Sequence, residues 1–232
     1  MGKAPLTQAP PDSLYGGWDD WRSGVKKVTT FLHQGDLPDG VLAGASAVAV
    51  DSESMGLRLG RDPLCVVQLS DGQGDAHVVQ LDRSTYDAPN LKRLLTDPMV
   101  TKIFHYGRFD IAMFWLHLGV VTAPVYCTKI ASKLARTYTD RHGLKDVTKE
   151  LIGVDLSKAQ QSSDWGQASL SEEQVAYAAS DVAHLHVLRA RLDEMLVREG
   201  RDGLARACFE FLPHRALLDV RGWEDTDVFA HS

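Results

Sequence analysis

The sequence predicts an α/β fold: a mixed sheet, built from an antiparallel meander and additional parallel strands, with helices on its faces. Three observations predict it. Up to residue 81, short β-branched and aromatic runs alternate with turn residues. From about residue 91 to 152, leucines at helical spacing alternate with brief strand-like runs, and a capped helical stretch follows near residue 170. Strands followed by alternating helices and strands are typical of a mixed sheet covered by helices.

The first half of the domain contains four predicted strands. Each is an apolar run bounded by turn residues, and the runs are 28–33, 46–53, 64–69 and 76–81. Glycines and aspartates at 71–75 separate the last two runs, which is typical of a β-hairpin. The predicted arrangement of this half is therefore an antiparallel meander.

The second half alternates helices with strands at 101–106 and 125–127. Asn90 is predicted to be the N-cap of the first helix, and Ser169 or Ser171 begins a long helix that runs to about Arg198. The predicted helices cover about 91–95, 110–116, 128–136, 144–152, 171–198 and 204–211.

Composition predicts one globular domain behind a flexible extension. The chain has 232 residues, 44% of them hydrophobic; the proline- and glycine-rich residues 1–27 are predicted to be flexible, and 28–232 to form a single domain with a helical tail. No apolar run approaches the roughly 20 residues of a membrane span. The N-terminus has no hydrophobic signal segment, and the three cysteines are widely spaced. These features predict a cytoplasmic protein with no membrane partner.

The net charge of −6 restricts any nucleic-acid ligand. Proteins that grip long duplexes neutralise many phosphates with Lys and Arg, so an acidic chain is poorly suited to that function. A very short or single-stranded ligand, held by a metal and a few local contacts, is compatible with this charge.

Asp51 and Glu53 follow directly on the apolar run 47–50. Side chains alternate across a strand, so these two acids project on the same side. Two carboxylates held so close repel each other unless a cation lies between them, and oxygen ligands suit Mg²⁺ or Mn²⁺. The alternative is a strand that runs out into a solvated acidic turn.

Further carboxylates lie on two predicted helices. Asp110 is at the start of a helix directly after a strand, where the alternative is an ordinary first-turn acid stabilised by the helix dipole. Tyr177 and Asp181 are four residues apart, so they share one face of the late helix, among small apolar residues. The alternative for this pair is a surface aspartate beside a core tyrosine.

These four acids, on three separate elements, can converge on one spot. Such a cluster would bind two divalent cations for phosphodiester hydrolysis, with one cation activating water and the other stabilising the leaving oxygen. Tyr177 would orient or deprotonate that water.

The combined motifs resemble those of the DEDDy 3′-5′ exonucleases, which have the ribonuclease H-like fold. Asp-x-Glu at 51–53, the helix-start Asp110, and Tyr-x-x-x-Asp at 177–181 occur in the order of that family. The run 158–165, Lys-Ala-Gln-Gln-Ser-Ser-Asp-Trp, resembles the K-x-x-Q-x-S-D-W region of RNase D proteins. The runs 127–134, 136–144 and 228–232 are similar to the bacterial nano-RNase C group.

The nano-RNase C resemblance implies an exoribonuclease that splits dinucleotides and other very short RNAs, including the linear product of cyclic di-GMP breakdown, and assembles into octameric rings. It assigns two divalent cations, Mg²⁺ or Mn²⁺, to the four acids, and the general base to Tyr177. Leu57 matches the position of a leucine that separates two bases, for which the alternative is a core leucine. The other residues assigned to substrate binding are His105, Arg141, His142, Lys158 and Gln161.

Arg141 and His142 are candidates for binding the terminal 5′-phosphate of the substrate, either in their own subunit or in the site of a neighbouring subunit. The alternative is that they belong to a solvated basic turn. Two other functions are open. An RNase D-like exonuclease would process longer structured RNA or DNA ends, although only about 30 residues follow the late helix, where further helical RNA-binding domains are expected. A catalytically silent nucleic-acid-binding scaffold is the non-enzymatic alternative.

Overall fold

The computed structural model of the chain describes residues 28–157 and 159–231. The predicted flexible extension 1–27 and the candidate Lys158 lie outside the described residues. The described part contains one six-stranded sheet. Its strands are β1 (Thr29–Gln34), β2 (Ala47–Ser54), β3 (Leu64–Ser70), β4 (Asp75–Gln80), β5 (Thr101–Phe104) and β6 (Val125–Cys127).

Seven α-helices follow or separate these strands in the described ranges, and a π-helical turn, Asp219–Trp223, extends the last one. The helices are α1 (Pro89–Thr96), α2 (Arg108–Leu118), α3 (Thr128–Ala135), α4 (Leu144–Ile152), α5 (Glu172–Ala183), α6 (Leu185–Arg198) and α7 (Asp202–Leu218). None of these helices is both long enough and apolar enough to cross a lipid bilayer.

The sheet order β1-β4-β3-β2-β5-β6 confirms the predicted mixed sheet. β2, β3 and β4 form the antiparallel meander, and β5 and β6 continue the sheet in parallel from β2. The first strand differs from the prediction, because β1 pairs in parallel with β4 at the sheet edge and is not part of the meander. Two parallel strands need a long crossover connection between them, and here the chain from β1 to β4 makes that connection through β2 and β3.

The core covers both faces of the sheet. Every residue of β3 is buried, so neither face of the central meander strand reaches water. One large apolar cluster fills most of the domain, and a smaller one consists of Cys65, Val66, Val78, Trp165 and Ala178. Because Ala178 belongs to α5, this smaller cluster holds α5 against β3 and β4.

The start of α1 and the length of α7 differ from the predictions. Helix α1 begins at Pro89, a residue suited to the first turn, and not after an Asn90 cap. The backbone N–H groups of Asn90 and Leu91 instead donate to the carboxylate of Asp36, each at 2.9 Å, so a residue 54 positions away caps the helix. The predicted tail helix 204–211 is longer, because α7 packs along α2 and β6 as far as Leu218.

The predicted single long helix from 171 to 198 is two helices. At His184 the backbone (φ −111°, ψ −3°) leaves the α-helical range and separates α5 from α6. Helix α5 packs across the sheet, whereas α6 packs against α3 and α4. One straight helix cannot make both sets of contacts, so tertiary packing breaks it.

Candidate active site

The first two acids lie at the carboxyl end of β2. Val48, Ala49 and Val50 are fully buried, whereas Asp51 and Glu53 are partly exposed at the edge of the sheet. The pairing of β2 with β3 shifts register between Glu53 and Ser54, so the regular pairing ends at the second acid. Both carboxylates therefore project from the last regular residues of a rigid strand.

The third acid is brought in by α2. Gly107 connects β5 to this helix, and a Cβ there would lie 2.6 Å from the ring of Phe104, so only glycine permits the close approach. Asp110 in the first turn is 4% exposed, and the Ser52 hydroxyl donates to its Oδ1 at 2.5 Å. Ser52 lies between the two acids of β2, so this hydrogen bond joins α2 to the Asp-x-Glu segment.

Helix α5 brings the fourth acid and the tyrosine. Ser171 forms a capping box with Gln174, which confirms the second of the two predicted starts. Asp51, Glu53 and Asp181 have carboxylate oxygens that all lie within 4.8 Å of one another. Asp181, one turn after Tyr177 on α5, acts on the Tyr177 hydroxyl, and the ring centroids of Tyr177 and the buried Trp165 lie 6.1 Å apart. The fold thus joins three elements at one point.

Burial and the neighbouring carboxylates both disfavour negative charge in this cluster. Burial, followed by Asp181 and Asp110, raises the pKa of Glu53 to about 9. Burial also raises the pKa of Asp110 and of Asp181 to about 7 each. The pKa of Asp51 is raised well above its ordinary value by burial and by all three neighbouring acids. In the described ranges, the charged neighbours that act on Asp51 and Glu53 are all carboxylates.

This arrangement fits divalent cations. Four converging carboxylates without a described basic partner are costly unless a cation compensates them. The donor set is oxygen alone, which is the preference of Mg²⁺ and Mn²⁺, whereas zinc sites usually include Cys or His. Asp51, Glu53, Asp110 and Asp181 are the residues that would hold such ions.

The raised pKa values predict that the metal-free protein loses stability as pH rises. In the unfolded chain these acids ionise near pH 4, but in the folded chain they retain protons to about pH 7 or above. Between those values the folded state binds more protons, so the free energy of unfolding falls with increasing pH. We expect the melting temperature in EDTA to fall by about 5 °C or more from pH 6 to pH 8.5.

Calorimetry or circular dichroism checks this prediction, with excess Mg²⁺ as the control. Bound cations favour the ionised acids, so the same scan in Mg²⁺ should be much flatter. A melting temperature in EDTA that does not depend on pH in this range would contradict the repulsive cluster.

Leu57 lies in the turn after β2 and its residue surface is 79% exposed, so it is not a core leucine. The turn is held by Asp62, whose carboxylate accepts from the backbone N–H of Arg58 at 3.0 Å. A Cβ on Gly56 would lie 2.3 Å from that carboxylate, so the turn requires glycine there. An apolar side chain is thereby presented to solvent four residues after Glu53.

The remaining candidates lie in different environments. The His105 ring is largely buried, its Nδ1 lies 2.8 Å from the Thr128 hydroxyl, and burial followed by Lys129 lowers its pKa to about 3. Arg141 and Gln161 are exposed, and His142 is half-buried with Nδ1 2.9 Å from the Ser132 hydroxyl. In the described part of the chain, none of these residues is hydrogen-bonded to any of the four acids.

A buried arginine supports the turn that carries Arg141 and His142. The Arg136 guanidinium, fully buried, donates to the Arg141 carbonyl at 2.7 Å and to the Ser132 hydroxyl at 2.8 Å. It also pairs with Glu150. The buried Arg136 side chain therefore fixes the backbone of this turn, while the Arg141 side chain is exposed to solvent.

Sequence reasoning missed Gln68 and Ser52, which both donate to the acids. Gln68 is fully buried on β3, and its Nε2 lies 3.3 Å from Asp51 Oδ2. The signal was present in the sequence, because Gln68 is the one amide within an otherwise apolar run, 64–69. Trp165, the last residue of the run that resembles RNase D, is 2% exposed, and its ring packs against the Tyr177 ring.

Comparison with known proteins identifies the family of this chain. A 3′-5′ exonuclease family model matches residues 40–197. The chain is 39% identical over 160 residues to the ribonuclease D of Acidiphilium cryptum, a match that covers 69% of this chain and 40% of that protein. The chain therefore spans about 40% of the length of this curated relative.

Solved structures extend the similarity over most of the chain. Brucella melitensis NrnC bound to pGG is 52% identical with a TM-score of 0.86, covering 89% of this chain and 100% of that one. The same Brucella protein has also been solved with bound Mg²⁺, at 52% identity, a TM-score of 0.85 and coverage of 88% and 100%. Escherichia coli RNase D is more distant, with 26% identity, a TM-score of 0.68 and coverage of 82% and 50%.

Proposed function

The chain belongs to the 3′-5′ exonuclease family, and from that membership we propose that it is a metal-dependent 3′-5′ exoribonuclease that hydrolyses dinucleotides and other very short RNAs to mononucleotides. The observation that carries the chemistry is the convergence of Asp51, Glu53 and Asp181 beside Tyr177, joined by Asp110 through Ser52. A scaffold without activity would have no use for a buried cluster of repelling acids.

Two divalent cations, Mg²⁺ or Mn²⁺, would supply an activated water and charge neutralisation at the scissile phosphate. The chain's own contribution is a rigid set of acids and a positioned phenol. Burial and the neighbouring acids raise the pKa of Tyr177, so in the metal-free protein its hydroxyl carries a proton at neutral pH. That hydroxyl, beside Asp181, would orient the water that adds to phosphorus while the bond to the leaving 3′-oxygen breaks.

Two observations support a very short substrate. Leu57 is an exposed apolar side chain just beyond the acids, where it can insert between two bases and gain contact that it lacks in the free protein. The Brucella NrnC structure that is similar over 89% of this chain contains pGG. With a net charge of −6, the protein is also better suited to a ligand with few phosphates than to a long one.

We assign the 5′-phosphate of the substrate to the turn of Arg141 and His142. The Arg141 side chain is exposed, and burial, followed by Arg136 and Lys133, lowers the pKa of His142. An exposed guanidinium with an imidazole beside it offers N–H donors to a terminal phosphate dianion. His105, Lys158 and Gln161 remain candidates for substrate binding.

The wider setting of the activity is also part of this proposal. It includes clearance of the linear product of cyclic di-GMP, a cytoplasmic location and an octameric ring. The runs 127–134, 136–144 and 228–232 support it by their similarity to the nano-RNase C group.

The second candidate function is an RNase D-like exonuclease that acts on longer RNA or DNA ends. The 39% identity to the Acidiphilium ribonuclease D favours it. The two functions differ in the substrate length that they prefer, so a length series separates them.

We expect turnover to fall as 5′-phosphorylated RNA lengthens from two to three to seven nucleotides, and to stop in EDTA. In Leu57→Ala, kcat/KM on the dinucleotide should fall about tenfold, because the lost apolar contact is of the order of 1.5 kcal/mol. The matched control is Leu204→Ala, which removes another exposed leucine, from α7, and should leave kcat/KM unchanged. Equal or higher efficiency on the seven-nucleotide RNA would contradict the dinucleotide preference, and a DNA series would report the sugar specificity.

A further inference from the structure

Gln68 is an unexpected residue in its environment. It lies in β3, where every residue is buried, and its own exposed fraction is 0%. Its neighbours along the strand, Val67 and Leu69, are also fully buried and apolar. Burying an amide in such a strand is unfavourable unless its polar atoms find partners.

The two ends of the Gln68 amide differ in their partners. The strand register places Gln68 directly opposite Asp51, and its Nε2 donates to Asp51 Oδ2 at 3.3 Å. The other end, Oε1, is buried without a hydrogen-bond partner among the described residues. Only the nitrogen of the amide therefore has a hydrogen-bond partner, and that partner is a member of the acid cluster.

The contact acts on Asp51 in a way that no neighbouring acid can. Glu53 and Asp181 bring further carboxylates to Asp51, whereas the Gln68 amide brings an N–H donor to its Oδ2. A donor on one carboxylate oxygen also restricts rotation of the group and leaves the other oxygen available to a cation. Residues that donate hydrogen bonds to a metal ligand orient that ligand and change the affinity for the metal.

From this arrangement we infer that Gln68 is a positioning residue, which holds the Asp51 carboxylate in the orientation that binds a divalent cation. The inference rests on the proposed metal-dependent function and adds a residue to it. Gln68 itself acts only through Asp51. Its unpartnered oxygen disfavours the metal-free fold, so packing alone does not explain an amide at this position.

The test compares Mn²⁺ binding, by titration calorimetry on the full chain, between the parent protein and Gln68→Met. Methionine fills a similar volume without polar atoms to satisfy. We expect the dissociation constant for Mn²⁺ to rise on the order of tenfold, as for other outer partners of metal ligands. In EDTA, the melting temperature should be equal or higher, because the variant no longer buries an unpartnered oxygen. Activity lost at low Mn²⁺ should return as Mn²⁺ is raised.

The matched control is Gln80→Met, the same change in a buried glutamine on the next strand, β4. Gln80 donates to the Gln167 carbonyl at 2.8 Å and does not contact the acids, so its loss should lower stability and leave Mn²⁺ affinity unchanged. Gln68→Asn is the second variant. It keeps a polar group but is one methylene shorter, so it should also weaken Mn²⁺ binding.

The outcomes separate this inference from the function on which it rests. If the parent protein binds no Mn²⁺, the metal-dependent function is wrong. If the parent binds Mn²⁺ and both Gln68 variants bind it equally well, the function stands and the positioning role of Gln68 is wrong. Weakening of the same size in Gln80→Met would also overturn it, since the effect would then be general to buried amides.

Discussion

Replacing Asp51 with asparagine is expected to reduce kcat for a 5′-phosphorylated dinucleotide about 10³-fold or more. Asp51 lies among the other three acids, which all act on its charge, so it is the central member of the cluster. Removing its negative charge weakens the binding of both cations that the cluster would hold. A 10³-fold loss corresponds to about 4 kcal/mol of transition-state stabilisation, which is the scale of metal-ion catalysis. Steady-state hydrolysis in saturating Mg²⁺ or Mn²⁺ measures it.

The same substitution should stabilise the metal-free protein. At pH 8 in EDTA it removes one member of a group of mutually repelling carboxylates, so the melting temperature should rise by about 3 °C or more. The control is Asp155→Asn, because Asp155 is an exposed acid that pairs with Lys145 and Lys149 and is not a member of the cluster. It should keep full activity. Hydrolysis by Asp51→Asn at the parent rate would refute the metal mechanism.

Replacing Tyr177 with phenylalanine is expected to lower kcat on the order of 10²-fold while KM and Mn²⁺ affinity change little. The ring is held by Trp165, and the phenylalanine ring can keep that packing, so the variant removes the hydroxyl alone. The hydroxyl interacts with Asp181 and is the proposed orienting group for water. Positioned proton-carrying groups contribute typically 10²–10⁴-fold to a rate. Pre-steady-state cleavage separates this chemical step from binding.

Tyr126→Phe is the matched control for this experiment. Tyr126 is a buried tyrosine whose hydroxyl donates to Asp193 at 2.9 Å, and it lies in β6 against α6 and α7, away from the acid cluster. Its loss should cost about 1 kcal/mol of stability and leave kcat unchanged. If both variants lose kcat equally, or if Tyr177→Phe retains the parent kcat, the phenol has no special part in the reaction.

Several features could be predicted from local patterns because short-range physics decides them. The apolar run 47–50 predicts a buried strand, and the two-residue period places Asp51 and Glu53 on the same side. The four-residue spacing of Tyr177 and Asp181 places them on one helix face, and Ser169 or Ser171 is indicated as the start of that helix, of which the structure selects Ser171. The order of the motifs along the chain then indicates the family.

Other features depend on residues far apart in the sequence. The cap of α1 is Asp36, 54 residues before Asn90, and no local signal indicates it. The break at His184 lies inside a stretch with an uninterrupted helical pattern, and it is packing on both the sheet and α3 that requires it. The parallel pairing of β1 with β4 depends on how the meander folds back and not on the composition of β1.

The sequence by itself determined the elements that carry the acids, the faces from which those acids project, and the family to which the motifs belong. Helical and strand periodicity are properties of neighbouring residues, so they can be read along the chain. Only the tertiary structure decided that the carboxylates of Asp51, Glu53 and Asp181 meet within 4.8 Å, and that Gln68 lies opposite Asp51. Strand register sets the contact of Gln68 with Asp51, and helix packing brings Asp181 to acids more than 100 residues before it, so both become defined only when the chain folds.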